Sequence, residues 1–410
     1  MKIAILSKSD LTGGGASRVA QDLSGLLASA GHTVEHWCAW AEEDEARRRI
    51  HGPLTGLAGL GAKGLRALGA AELAPIDYPG LIWRARLHER FDIVHVHDIS
   101  SAISPLTLAA LAGRVPLLWT LHDASAFTGG CLYPMGCERY MQDCGACPQR
   151  GRWPLRGALD MTPLHLAARR RLHASGRVAL AAPSRWMAGL ADASAATRTP
   201  CRVLPNGIDV DCFRARADKQ ALRARLGLPE DRTVLLLSAG NLADRRKGIA
   251  LGVEAIEAVR DQNIAVLLVG HRNAEVEARL AGIPHATTGF IAGAAELAEA
   301  YAAADLMIYP SRADNQPLAI LEAMACGVPA VGFDVGGVPE LLGDGRGLVV
   351  ADGDAGALGN AVRAAVVSGA WRAWGPSARD YVRSRHGLDE FLSAHIKAYR
   401  ETIENWKERS

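Results

Sequence analysis

The sequence predicts two α/β domains, each a parallel β-sheet covered on both faces by helices. Three observations predict it. The chain has 410 residues, long enough for one core to give way to two domains of roughly 200 residues each. Short aliphatic runs alternate with helical patterns from end to end, as parallel sheets built from βα units require. Composition is globular, 49% apolar and 22% charged, with few aromatics, so the cores are expected to be aliphatic and small.

The first series of strand-like runs is Lys2–Ser7, Asp92–His97, Pro116–His122 and Arg177–Ser184. A second series is Thr233–Ser238, Ile264–Gly270, Leu306–Ser311, Pro329–Phe333 and Gly347–Val350. Each is a short run of Val, Ile, Leu and Ala, which suits strands buried on both faces. Between them, Ile249, Val253, Ile256 and Val259 recur at helical spacing. The segment Leu204-Pro205-Asn206-Gly207-Ile208-Asp209 breaks the alternation. It sets the expected boundary: residues 1–210 form one domain and 211–387 the other. An amphipathic helix over 388–410 is expected to return to the first. In open parallel sheets ligands bind beyond the carboxyl ends of the strands, so an interdomain cleft is the expected site.

The formal charge is only +2, which gives no global case for a nucleic-acid partner. The apolar run at Met1–Ser7 is too short for a signal-peptide core, and no run of 18 apolar residues suggests a membrane-spanning helix. A cytoplasmic chain with reduced cysteines is therefore expected.

The strongest chemical signal is Tyr309-Pro310-Ser311-Arg312-Ala313-Asp314-Asn315-Gln316-Pro317, running into Leu318-Ala319-Ile320-Leu321-Glu322. Asp314 falls in the loop after a strand and Glu322 about one turn into the next helix. Amides at that helix start favour a diphosphate, and carboxylates can hold ribose or sugar hydroxyls. Gly13-Gly14-Gly15 follows the first strand, where glycine lets backbone approach a ligand. Arg18 stands where a dinucleotide fingerprint needs its last glycine, which argues against an NAD(P) enzyme. His122-Asp123 closes another strand. Lys247, in the run Arg245-Arg246-Lys247, follows the strand ending near Ser238 and can neutralise a departing phosphate.

The stretch Pro310 to Pro329 resembles the E-x7-E region of glycosyltransferase family 4, with Asp314 in place of the first Glu. Other pieces resemble that family in order: Gly13-Gly14-Gly15-Ala16, His122-Asp123, Ala182-Pro183-Ser184, Pro205-Asn206-Gly207-Ile208-Asp209, Lys247-Gly248, Ala304-Asp305 and Gly336-Gly337-Val338-Pro339-Glu340. The likeness covers nearly the whole chain and is greatest to the colanic-acid and exopolysaccharide branch, which shares the Asp-Asn-x-Pro variant and a cysteine-rich loop.

The resemblance implies the GT-B fold and a retaining transfer of sugar from a nucleotide diphosphate to a hydroxyl. Polysaccharide or lipid-linked oligosaccharide precursors are the first acceptor class, and a natural product the alternative. It implies that Glu322 holds the ribose, Asp314 the transferred sugar, and the backbone from Asn315, Gln316 and Pro317 to Leu318 the sugar and phosphates. His122, beside Asp123, would contact the donor sugar. Gly14, Gly15, Asn206 and Arg246 complete the expected donor-binding set, and no cofactor is required for catalysis. The family usually has Arg where this chain has Asn241, with Arg245 or Arg246 as the candidate substitute. A sugar-nucleotide epimerase or a phosphorylase is the enzymatic rival. The substitutions at Asn241 and Asp314 keep a silent sugar-binding scaffold as a further alternative.

Four cysteines form a separate group, Cys131-x5-Cys137-x6-Cys144-x2-Cys147. A structural zinc, a disulfide pair and free thiols are all open, and the Cys144–Cys147 spacing suits zinc. Cys38, Cys201, Cys212 and Cys326 read as small core residues. From Gln149 to Arg177, Arg150, Arg152, Arg156, Arg169, Arg170, Arg171 and Arg177 face one acid, Asp160. This run is either a solvated face or a peripheral contact for anionic lipid or a lipid-linked pyrophosphate.

Overall fold

A computed structural model describes residues 1–9, 14–40, 48–50, 63–98, 100, 102–242 and 244–409. Two compact units emerge, Met1–Pro205 with Phe391–Ser410, and Asn206–Glu390. The division falls five residues before the expected boundary, because Asn206 and Ile208 are pinned inside the second unit. Ile208 N–H donates to the His386 carbonyl at 2.8 Å, and His386 Nδ1 lies 2.9 Å from the Asn206 carbonyl.

The first unit carries a parallel sheet of β1 (Lys2–Ser9), β2 (Thr33–Trp40), β3 (Arg48–Arg49), β4 (Ile93–Val96), β5 (Leu117–Thr120), β6 (Val178–Ala182) and β7 (Arg202–Val203). Their order is β3-β2-β1-β4-β5-β6-β7. The chain steps outward from β1 to β3, then returns to lay β4 beside β1, pairing Ile3 with Ile93 and Leu6 with Val96. That return creates a topological switch point between β1 and β4. The helix Leu388–Glu408 joins this unit: Tyr399 hydroxyl sits 2.7 Å from His95 Nδ1, and Trp406 Nε1 donates to the Ala112 carbonyl at 2.9 Å.

The second unit has β8 (Thr233–Asn241), β9 (Ile264–His271), β10 (His285–Thr287), β11 (Leu306–Tyr309), β12 (Ala330–Phe333) and β13 (Gly347–Val350), ordered β10-β9-β8-β11-β12-β13 and all parallel. Along β8 the side chains alternate between two cores: Val234 and Leu236 pack on one face, Leu235 and Leu237 on the other. β9 repeats this with Ala265 and Leu267 against Val266 and Leu268. Two buried faces explain why these strands read as unbroken apolar runs. Helix Ile249–Glu257 buries Ile249, Val253 and Ile256. The switch point here lies between β8 and β11, so the segments 244–248 and 310–317 lie side by side beyond the sheet.

Asp305, from the Ala304-Asp305 motif, sits just before β11 starts, at the other end of the sheet. It is buried, bonded to Arg223 at 2.5 Å, Lys219 at 2.7 Å and the Val234 amide at 2.9 Å. Its role is to tie β8 and β11 together.

Candidate functional site

Both switch loops of the second unit end on one carboxylate. Asp314 Oδ2 accepts from Lys247 Nζ at 2.6 Å and from Tyr309 hydroxyl at 2.6 Å, with Arg246 Nη1 at 3.7 Å. Burial alone would raise the Asp314 pKa. The charges of Lys247 and Arg246 and the two hydrogen bonds outweigh it and hold the group below its ordinary value. Asp314 is therefore ionised at neutral pH. Its donors gather on Oδ2, and among the described residues none donates to Oδ1.

Backbone closure fixes this arrangement. The short helical turn Arg245–Lys247 is capped by Asp244 and ends on Gly248 at φ 64. A side chain at Gly248 would run into the Pro310 carbonyl, so glycine there brings the two loops together. Arg246 bonds the second loop three times: its carbonyl accepts from Arg312 N–H at 2.8 Å and from Ser311 Oγ at 3.4 Å, and its Nη1 donates to the Ala313 carbonyl at 2.8 Å. From the far side Gly336, at φ 59, presses against the Asp314 carbonyl, which also accepts from Gly337 N–H at 3.3 Å.

Helix Leu318–Ala325 begins after Pro317 with no side-chain cap, so its first amides face the same loop. Glu322 is buried in its second turn, only 2% exposed. Asn315 and Gln316 are buried as well, and Gln316 is committed to Asn206. The Asn206 amide donates to Gln316 Oε1 at 2.7 Å, and Asn206 Nδ2 donates to the Gln316 carbonyl at 3.1 Å. Both side chains thus brace the loop instead of pointing out of it. Past β9 and β10, His271 and Phe290 stack at 4.9 Å, with Phe290 58% exposed.

In the first unit His122 is not a lone histidine. His95 and His97 on and after β4 stand in a row with it: ring centroids of His95 and His97 are 4.1 Å apart, and His97 Nδ1 lies 3.0 Å from His122 Nε2. Burial lowers the His122 pKa to about 4, and those of His95 and His97 well below the ordinary value. These rings are neutral at pH 7. Asp123 is spent locally: Oδ1 accepts from the Ser125 amide at 2.8 Å and Oδ2 from Ser100 Oγ at 2.9 Å. Burial, then the nearby Asp98, raise its pKa to about 6. Asp98 pairs with Lys8 at 2.9 Å at the β1–β4 switch point. Gly14 takes φ 90 ahead of helix Gly15–Ser29 with open space where a side chain would stand, and Gly15 opens the helix. Gly13 and the Asn241 side chain lie outside the described residues.

Comparison with known proteins bears on this geometry. The family described as Glycosyltransferase Family 4 matches residues 13–212, and Glycosyl transferases group 1 matches residues 233–367. These matches support a family-4 glycosyltransferase. A putative teichuronic acid biosynthesis glycosyltransferase, TuaC of Bacillus subtilis, is 37% identical over 39% of this chain and 40% of its own. A putative colanic acid biosynthesis glycosyl transferase, WcaC of Escherichia coli, is 29% identical over 58% of this chain and 56% of its own. The chain thus matches only about two fifths to just over half of the length of these curated relatives. Among solved structures, Anabaena HepE in complex with UDP-glucose superposes with a TM-score of 0.68 at 18% identity, covering 99% of this chain and all of HepE. That likeness shows the GT-B fold.

Two stretches of the chain depart from the sequence reading. Arg169 belongs to no surface patch: it is 3% exposed and pairs at 2.5 Å with buried Glu72. Arg170 reaches Asp143 at 3.0 Å, and Arg177 lies over the Trp406 ring. Only Arg150, Arg152, Arg156 and Arg171 stay exposed. Cys38, Cys201 and Cys326 are buried as expected, whereas Cys212 is half-buried. Cys131, Cys137, Cys144 and Cys147 are all unpaired thiols lining one small cavity. As placed, no three His, Cys, Asp or Glu groups among the described residues form a metal-chelating set. The candidate-site groups missed by sequence reading are Tyr309, His95, His97, Lys8 and Asp98. The two histidines, alternating with valines in His95-Val96-His97, were the available signal.

Proposed function

We propose that this chain transfers a sugar, with retention of anomeric configuration, from a nucleotide-diphosphate sugar to a hydroxyl of a polysaccharide or lipid-linked oligosaccharide precursor. The observation that carries the reading is the Lys247–Asp314–Tyr309 knot where the second sheet switches direction, the place open parallel sheets use for ligands. Oδ1 of Asp314 is left to accept sugar hydroxyls. Lys247 supplies positive charge where a leaving diphosphate builds negative charge, and the uncapped helix start adds amides. Glu322 holds the ribose. In the first unit, neutral His122 can donate or accept a hydrogen bond with a sugar hydroxyl without carrying charge.

The named relatives in teichuronic and colanic acid synthesis favour a glycan acceptor, and the complex of HepE with UDP-glucose favours a uridine donor. Among the described residues no helix is long and apolar enough to cross a membrane. Exposed Trp153, Leu159 and Leu164, in one segment with Arg150, Arg152, Arg156 and Arg171, suit a peripheral contact with an anionic lipid surface. The test is nucleotide release from a panel of UDP-, GDP-, ADP- and dTDP-sugars with a glycan acceptor, followed by NMR of the product anomer. Release with one donor and an unchanged anomer is expected. Release with no donor contradicts transfer, and an inverted anomer contradicts retention.

A further inference from the structure

The residues between the turn Ala124–Ala126 and helix Thr162–Ala174 have almost no regular structure, yet they hold a definite shape. Part of the reason is hydrogen bonding. Cys147 N–H donates to Asp160 Oδ2 at 2.9 Å, Gly145 N–H to Thr162 Oγ1 at 3.1 Å, and Cys144 N–H to the Arg139 carbonyl at 2.9 Å. Cys137 N–H closes a tight turn on the Pro134 carbonyl at 3.0 Å. These bonds fold the segment so that four cysteines spread over 17 residues all line a single cavity of about 20 Å³. Pro134, Tyr140, Leu155 and Thr162 are among the other residues that line it. That volume is enough for one water-sized occupant.

The backbone at both halves is bent into the left-handed region. Met135 and Gly136 take φ 51 and 82 just before Cys137, and Cys144, Gly145 and Ala146 take φ 57, 86 and 43 just before Cys147. Left-handed geometry at Met135, Cys144 and Ala146 costs on the order of 1 kcal/mol each and persists only where surroundings enforce it. Both bends do the same thing, turning a cysteine toward the shared cavity. The sulfurs carry no disulfide. As placed they do not converge to chelating distance, but a thiol reorients by rotation about one bond without moving its backbone.

We propose that Cys131, Cys137, Cys144 and Cys147 form a structural zinc site that closes this loop. Four soft sulfur ligands with one Cys-x2-Cys pair around one small cavity match tetrahedral zinc, with ligand bonds of about 2.3 Å, better than any oxygen-seeking ion. Binding releases the thiol protons, and the ion compensates the charge of the thiolates that form. The site has no open coordination position and takes no part in sugar transfer. Its role is to fasten the segment that follows His122 and Asp123.

The test uses the full chain, purified under reducing conditions without an affinity metal. One zinc per chain is expected by elemental mass spectrometry. Anaerobic titration of the stripped chain with Co(II) is expected to give the visible and thiolate charge-transfer bands of a tetrahedral Co(II) thiolate at one equivalent. Cys137→Ser and Cys147→Ser should each lose those bands while circular dichroism stays unchanged. No zinc together with no Co(II) bands in the wild-type chain overturns the proposal, and so does a Cys137–Cys147 or other disulfide in the reduced preparation. Bands retained in either variant overturn the four-ligand set. None of these readouts depends on sugar transfer, so this proposal and the enzymatic one fail separately.

Discussion

Gly336→Ala adds one methyl group, and the structure says where it goes: into the carbonyl oxygen of Asp314. That oxygen belongs to backbone and cannot swing aside, so the 314 peptide must move. The strain of an alanine at φ 59 costs about 1 kcal/mol, and forced overpacking adds about 1–3 kcal/mol, giving about 2–4 kcal/mol in all. At about 2–4 °C per kcal/mol for a unit of this size, the melting temperature should fall by about 4–16 °C. Displacing the peptide also pulls Asp314 from Lys247 and Tyr309, so donor turnover should drop further than the stability loss accounts for. Gly345→Ala is the control. It shares a positive φ, 74, but has nothing within 4 Å of the new methyl. It should cost about 1 kcal/mol and leave turnover intact. Thermal unfolding and initial rates on both variants decide the matter. If Gly336→Ala and Gly345→Ala behave alike in both assays, the claim that Gly336 sets the Asp314 backbone is wrong.

Arg169→Met should be severe, costing about 3–5 kcal/mol, because it removes the guanidinium that pairs with the buried Glu72 carboxylate; Arg171→Ser, on the exposed side, should change the melting temperature little. Comparable effects from the two would return Arg169 to the surface. Acid should weaken the fold. His173 and His395 have folded pKa values lowered by burial to about 4, so as pH falls from 6.5 to 4 the unfolded chain takes up protons first. Each contributes a loss of about 3 kcal/mol over that window. His122, His95 and His97 act in the same direction, while Asp77 and Asp123, raised to about 6, oppose it between pH 4 and 6. A melting temperature equal or higher at pH 5 than at pH 7 would contradict this balance. For Glu322→Gln, a large rise in donor KM is expected with kcat less affected. Unchanged donor kinetics would remove Glu322 from the ribose site.

Much of this was legible in the chain itself. β8 and β9 are buried on both faces, so their aliphatic runs announce them, and Gly347–Val350 matches its run end to end. β2 escaped notice because Thr33, Glu35 and His36 interrupt its apolar residues, and Arg202–Val203 and His285–Thr287 are too short to show a pattern. Lys247, Asp314 and Glu322 were visible through their motifs and the family resemblance, but the mutual bonds of the site were not. Lys247 and Asp314 are 67 positions apart, and Asn206 and Gln316 are 110 apart. Only the sheet order brings such groups together. The same limit explains Arg169: three successive arginines look solvated until Glu72, 97 residues away, is found beneath the first of them.

The central claim is that the loops after β8 and β11 hold the diphosphate of a nucleotide sugar, with Lys247 as their cation. Calorimetric titration of the chain with UDP, GDP, ADP and dTDP tests it most directly, repeated with Lys247→Met. At least one nucleotide should bind, and losing one charge-assisted contact should weaken it by about 10- to 100-fold. Binding of none of the four, or equal affinity in the variant, would contradict the account.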